Sequence, residues 1–499
     1  MSSVFRQLAK DIAVYGLGDG IVKGLALATL PIYSRLFVPS EYGVLNLVRA
    51  TNAVAGPISN LGINSAVYRN YFDSEDADHR ATIVSTGFWG LLGWSVALCL
   101  LGISVARPLS EWLVGTPDHA TLFMLAFAAV PVAQLVLYCQ DILRLHFDPW
   151  KYTGVSVVNH LSQFALTLAF VLLLGWGLAG FFAGSVVGAV IPVLLAIFLV
   201  RSELNFTVSG DLLKELARFG YPLALSGLAV PAFVFVDRVI IERFAGIETV
   251  GLLTAALFLP RIMIFIGAGF GRAWSPFVYK LRTTNPDYAR IVARTLLYLL
   301  IGFSFVAILF TAFAHEVLAV IVPPVYHPAA VAVGPLSIYA VANMSSHVTP
   351  FGISLSRKTK YLAMITWAGV TFNLLLDLAL VPAFGLVGAA IASASSEVGI
   401  STALLYVSQR LRPMPYDYRK LASVALVLVV FIAGASYLQP ESTPMALSAK
   451  VGLVALFPLT LLALKVLGFR ELSGGAVLIK EIAVGAVRPT NFELEKEYE

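Results

Sequence analysis

The chain has 499 residues, 34 Lys and Arg against 29 Asp and Glu, and a formal net charge of +5. Only 13% of residues are charged while 58% are hydrophobic, and mean hydropathy is +0.83. A soluble chain has about twice that charge, so this composition excludes a water-soluble enzyme, a disordered protein and a small disulfide scaffold. It fits a chain that lives mostly in lipid. Cys99 and Cys139 both lie in apolar runs and read as buried small hydrophobes.

A helix crosses the hydrocarbon core with about 20 apolar residues. Fourteen such runs follow in chain order, at 12–35, 43–67, 82–106, 120–142, 153–175, 177–200, 218–241, 249–275, 291–314, 329–352, 360–382, 385–408, 421–438 and 446–467. The polar start and the uninterrupted run after it read as a retained first span rather than a removed leader. The stretch 317–328, broken by proline, is expected at the interface. The tail, 469–499, is weakly amphipathic and then acidic.

An even number of spans puts both termini on one side. Of the 34 Lys and Arg, 26 then fall on that side, five on the other (Arg35, Arg107, Arg238, Arg243 and Lys450) and three within spans (Lys23, Arg49 and Arg261). Positive loops stay cytoplasmic, so both termini are expected in the cytoplasm. The opposite loops are short, leaving no room for an extracellular catalytic or receptor domain.

The chain also repeats at an offset of 208 residues. Arg35 and Gly43 in YSRLFVPSEYGVLNL match Arg243 and Gly251 in IERFAGIETVGLLTA. Gly177-Leu178-Ala179-Gly180 matches Gly385-Leu386-Val387-Gly388 at the same offset. The shift covers six spans, so the repeat is parallel. The expected organisation is a first lobe at 1–200, a cytoplasmic linker at 201–220, a second lobe at 221–410, two further helices at 411–468 and a cytoplasmic tail at 469–499. Pro31 in the first span, with Pro222 and Pro231 in the seventh, would bend the leading helix of each lobe. The glycines at 16, 20 and 24, and at 180, 184 and 188, read as close-packing faces.

A central ionisable side chain costs about 2.5–3.5 kcal/mol on insertion scales, so each one needs a reason. Lys23 and Arg261 fall near the middle of their spans, and Arg49 nearer an outer end. Asp19 lies four residues before Lys23 and Glu397 near the middle of span 12. Lys23, Arg49 and Arg261 are therefore expected to line a wet cavity as an anion-binding set, with Asp19 and Glu397 available for ion coupling. The plain alternatives are an Asp19–Lys23 pair within one helix, snorkelling by Arg49, a buried structural pair for Arg261 and an interhelical hydrogen bond for Glu397. His160 reads as structural, and Arg272, Asp237 and Asp377 as interfacial. No HExxH, Walker loop or CxxC is present. Gly16-x-Gly18-x-Gly20 and Gly267-x-Gly269-x-Gly271 lie inside apolar helices rather than in nucleotide loops. No enzyme activity, cofactor, metal or nucleic-acid partner is expected.

RLFVPSEYGVLNLV (Arg35 to Val48), NLLLDLALVPAFGLVGAAIAS (Asn373 to Ser393) and AWSPFVY (Ala273 to Tyr279) resemble signatures of bacterial polysaccharide transporters. The likeness is to Wzx-type O-antigen flippases, within the multidrug/oligosaccharidyl-lipid/polysaccharide exporter superfamily. It implies fourteen helices in two lobes, in the bacterial inner membrane. It implies alternating-access transfer of undecaprenyl-pyrophosphate-linked oligosaccharide, with membrane lipids, a polysaccharide polymerase and a chain-length regulator as partners. A lipid II flippase, a drug/cation antiporter and a membrane polymerase or ligase are the competing readings. An antiporter would favour an acidic cavity, and a polymerase or ligase a large outward loop.

Overall fold

The computed structural model describes residues 20–467, apart from 21, 23, 26, 74–75, 147, 357, 359 and 439–443. Lys23, Asp19 and the tail 469–499 lie outside the described residues. The described residues form helices and turns with no strand. Ten of these helices are long and apolar enough to cross a membrane, or eleven with one bent pair. This establishes a polytopic helical protein and matches most of the expected runs.

The first half comprises α1 (27–33), α2 (Pro39–Asn60), α3 (Ile63–Asp73), α4 (Ala77–Ser104), α5 (Ala106–Val114), α6 (Ala120–Leu145), α7 (Pro149–Leu172) and α8 (Gly177–Val200). The second comprises α9 (Gly210–Ala245), α10 (Ile247–Ala256), α11 (Phe258–Thr284), α12 (Tyr288–Ala312), α13 (Ala314–Ile321), α14 (Ala330–Ser345), α15 (Phe351–Leu355) and α16 (Lys360–Leu411), followed by α17 (Tyr418–Leu438) and α18 (Pro444–Ala463). Local chemistry sets the starts. Pro39 opens α2, and Glu41 accepts the Val38 amide at 3.1 Å. Asp76 caps α4 and Ser209 caps α9.

Two expected single spans are broken. The second divides where Leu61 and Gly62 take positive φ of 48° and 69°. The eighth bends by 51° between α10 and α11. The 317–328 stretch forms the end of α13 and a 3-10 turn at Pro324–Ala329.

α16 has 52 residues. Straight, it would run about 78 Å, more than twice the hydrocarbon core. It folds back at Gly385, whose φ is 51°. Ser396 Oγ donates to the Gly369 carbonyl across the fold at 2.7 Å. α7 and α8 make the same kind of hairpin, where Ser162 Oγ donates to the Gly188 carbonyl at 2.7 Å. Gly177 begins α8 with φ of 53°, and it lies 208 residues before Gly385. A left-handed conformation at both positions is the physical reason for glycine there. Gly180, Gly184 and Gly188 face the backbone of α7 with no room for a Cβ, so they are packing glycines.

The same shift governs how the halves meet. Gly43 presses on the Ile247 carbonyl, and Gly251 presses on the Pro39 carbonyl. Gly43 and Gly251 are 208 apart, as are Pro39 and Ile247. The two contacts are therefore exchanged by the repeat, as in a two-fold interface. The largest apolar cluster surrounds this crossing and draws on both halves, with Tyr33, Leu47, Phe123, Ile241, Leu253 and Leu336 among its members. The other clusters stay within residues 61–216, 263–467 and 270–421.

Further bonds close this end. Arg35 donates to the Ile321 carbonyl at 2.9 Å and the Val320 carbonyl at 3.3 Å. These are end carbonyls of α13, where a cation is favoured. Tyr326 donates its hydroxyl proton to the Phe37 carbonyl at 2.7 Å.

Arg238 and Lys450, both counted on the outer side, lie inside helices as the expected spans at 218–241 and 446–467 have them: Arg238 on α9, and Lys450 on α18, fully buried and 2.6 Å from Glu316. Cys139 is buried as expected, but Cys99 is only half-buried.

Gly43→Ala and Gly251→Ala should each lower the thermal unfolding midpoint of the purified protein, because the new methyl meets a carbonyl. Gly154→Ala, with nothing within 4 Å, should leave it unchanged or raise it slightly, by the helix gain of about 0.5–1 kcal/mol.

Candidate functional site

Six residues after Gly43, α2 presents Arg49. Ten residues after Gly251, beyond the bend, α11 presents Arg261. Both remain exposed although they stand inside long apolar helices. Arg49 and Arg261 both lie within electrostatic range of the Tyr42 hydroxyl. Arg261 is also within range of Arg49, Arg238 and Tyr339. The structure thus gathers two of the three expected cations, together with Arg238, which the sequence reading had counted on the outer side. Among the described residues, neither Arg49 nor Arg261 has a carboxylate at ion-pair distance. Two guanidiniums without a carboxylate partner among the described residues have the chemistry to receive an anion, since the guanidinium fork suits phosphate oxygens.

Aromatic groups surround them. The Arg49 guanidinium stands 6.0 Å from the Phe181 ring centre, at the edge of cation–π range. Tyr33 meets Phe181 edge-on at 5.1 Å. Tyr339, on α14, lies among Arg238, Arg261, Asp237 and Glu397. Rings with hydroxyl tips offer both an apolar face and a hydrogen bond.

Glu397 is held between helices. Asn343 Nδ2 donates to its Oε1 at 3.1 Å, and Ser346 Oγ approaches the same oxygen at 3.5 Å. This is the interhelical hydrogen bond named as its alternative. His160 is exposed and turned to the Ser156 carbonyl at 2.8 Å.

Beside Arg261 lies a group that the sequence reading had assigned to interfaces. Asp237 and Asp377 are buried, at 5% and 0% exposure, and Asn373 is at 0%. Arg238 Nη1 donates to Asp237 Oδ2. The Asp377 carboxyl lies within hydrogen-bonding reach of Asp237. No donor reaches either Asp377 oxygen, and neither the Asn373 amide nitrogen nor its oxygen has a hydrogen-bond partner. One ionised carboxylate offers the other only an acceptor, so a proton or a cation between them would satisfy both. Two carboxylates and one guanidinium leave a single negative charge. Both acids line a cavity of roughly 220 Å³ between α9 and α16. Among the described residues no three His, Cys, Asp or Glu come together as a metal cage.

Residues 8–281 match the family described as "Polysaccharide biosynthesis protein". The chain belongs to this family. It is 25% identical over 236 residues to the succinoglycan biosynthesis transport protein ExoT of Rhizobium meliloti (strain 1021), covering 47% of this chain and 46% of that protein. The chain therefore spans about half the length of that relative. It is 25% identical over 292 residues to a putative O-antigen transporter of Shigella flexneri, covering 56% of this chain and 68% of the relative.

Among solved structures, the lipid II flippase MurJ in an inward closed conformation aligns with a TM-score of 0.68 and 12% identity, over 91% of this chain and 99% of that one. An inward-facing multidrug resistance MATE family transporter aligns with a TM-score of 0.57 and 18% identity, over 80% and 93%. The family member thus has the fold of the multidrug/oligosaccharidyl-lipid/polysaccharide exporters, and its relatives are transporters and flippases rather than enzymes.

Arg238→Gln should destabilise the protein by about 3–5 kcal/mol, because it strands the buried Asp237. Combining it with Asp237→Asn should recover most of the loss. Thermal unfolding of the three purified variants in one detergent checks this.

Proposed function

We propose that this protein carries an undecaprenyl-pyrophosphate-linked oligosaccharide across the bacterial inner membrane by alternating access, for surface polysaccharide synthesis. The observation that carries the reading is the meeting of Arg49 and Arg261, unpaired among the described residues, within range of one tyrosine. A pyrophosphate supplies the missing negative charge. A cationic pair does not suit the drug/cation antiporter alternative. The relatives named for succinoglycan and O-antigen transport support the polysaccharide class.

The halves act as two lobes, 1–200 and 221–410, joined by 201–220 and followed by two further helices and the tail at 469–499. On this reading the spans number fourteen. Both termini face the cytoplasm, because 26 of the 34 Lys and Arg fall on that side and only Arg35, Arg107, Arg238, Arg243 and Lys450 on the other. The glycine crossing and the Arg35 bonds seal the outer end in this state. The sugar head group enters from the cytoplasmic side while the polyprenyl tail stays in lipid. Lys23, if it joins Arg49 and Arg261, adds a third cation; Asp19 would then share its charge.

Conversion to the outward state breaks the Arg35–α13 bonds and closes the opposite end. Ion coupling is best supported at Asp237 and Asp377, where one proton or one monovalent cation balances the charge. Glu397, already hydrogen-bonded by Asn343, is the second acid in reach. A polymerase and a chain-length regulator would consume the delivered unit on the far side.

Arg261→Ala should abolish surface polysaccharide while the protein still inserts at normal levels, and Arg261→Lys should retain part of it. In sealed vesicles, Asp377→Asn should bind substrate but lose the acceleration that an imposed proton or sodium gradient gives to translocation. Comparing the two gradients identifies the ion. Normal polysaccharide from a well-expressed Arg261→Ala protein would remove the basis of the proposal.

A further inference from the structure

Away from the central cations, a second basic site lies where α12 and α17 begin. Arg290 and Arg294 are four residues apart on α12, hence on one face. With Lys420 they line a cavity of roughly 280 Å³, in which Asp417 is the one acid. Asp417 is turned to the start of α17, where it accepts the Lys420 amide at 3.1 Å. Arg290 is paired with Asp287 at 3.4 Å in an exposed contact, which is worth little. Among the described residues, the side chains of Arg294 and Lys420 have no carboxylate at ion-pair distance.

Directly below lies a larger slot of roughly 470 Å³ between α12, α14, the second half of α16, and α17. Leu421 lines both spaces. The slot's α12 wall runs through Leu296 and Leu300 to Ser304, and its α17 wall reaches Val429. Arg294 to Ser304 is ten residues, or about 15 Å along the helix. That is half of the hydrocarbon core, the depth of one leaflet. Thr349, just after α14, is buried on the slot wall, and its hydroxyl has no partner. Val348 beside it belongs to the same apolar cluster as Ala293 and Leu296, which flank Arg294 within two residues on α12.

We propose that this groove is a binding site for an anionic phospholipid, separate from the transport cavity. The phosphate sits against Arg294 and Lys420, an ester carbonyl accepts from Thr349, and an acyl chain fills the slot. Basic pockets between membrane helices recognise anionic headgroups in this way. The depth selects a leaflet lipid over the polyprenyl substrate, whose chain outruns a one-leaflet slot. The bound lipid packs α17 against α12, and so fastens the helices that follow the repeat to the second half.

The test is native mass spectrometry of the full-length protein, delipidated and titrated with phosphatidylglycerol, phosphatidylcholine or a polyprenyl phosphate. The wild type should retain one phosphatidylglycerol in preference to phosphatidylcholine. The double variant Arg294→Gln/Lys420→Gln should weaken that retention by about tenfold or more, and Thr349→Val should weaken it less. Arg261→Ala should leave it unchanged, so failure here is distinguishable from failure of the transport reading. Equal retention of the two phospholipids, unaltered preference in the charge variant, or displacement by stoichiometric polyprenyl phosphate would each overturn the proposal.

Discussion

The backbone crossing of α2 and α10 is the constraint on which the site depends. Two glycines allow it, and each presses on the other helix's first residue. Side chains of any size at Gly43 or Gly251 would hold the helices apart, since close approach in lipid relies on small residues. The crossing fixes where the two chains leave the shared end. One then carries Arg49 and the other, past the 51° bend, Arg261. Charges that repel one another come together because the packing above them is tight and apolar. Among the described residues neither charge has a carboxylate to settle on, so the pair depends on facing water or an anionic ligand.

The remaining buried charges follow a different rule. Lys450 with Glu316, and Arg238 with Asp237, are matched pairs within the protein. Lys450 ties α18 to α13, the short helix whose carbonyls also receive Arg35. Arg238 faces two ways: it bonds Asp237 and lies within range of Arg261. A change of charge at Asp377 therefore reaches the cavity through one side chain. That proximity couples the acid pair to ligand binding through ordinary electrostatics, which are strong where water is excluded.

Much of this was legible in the sequence, for identifiable reasons. Apolar run length marks a membrane helix directly, and the glycine offset of 208 residues survived because Gly177 and Gly385 both need a left-handed backbone. Arg261 stood out because its flanks are uninterrupted apolar sequence. Arg238 and Lys450 did not, because each falls within four residues of the outer end of its expected span, where a charge costs little and calls for no partner. The Asp237–Asp377 encounter joins residues 140 apart on different helices, and no periodicity reports such a pair. The break at Leu257 was equally silent, since an ordinary leucine occupies it, whereas Gly62 beside Leu61 is a residue that marks a left-handed turn.

If the protein works by the proposed alternating access, the closed end bears on its energetics. Its polar bonds are few: Arg35 to α13 and Tyr326 to the Phe37 carbonyl. Its apolar cluster is large and shared by both halves, whereas each remaining cluster stays largely within one half. Opening this end therefore exposes apolar surface, at about 25 cal/mol per Å². Something must offset that cost. Closing the opposite end recovers part of it, and neutralising the Asp237–Asp377 charge changes the field on Arg261 at the same step. On the proposed reading, packing holds the observed state and charge releases it, so that ligand and coupling ion would act on the same few side chains.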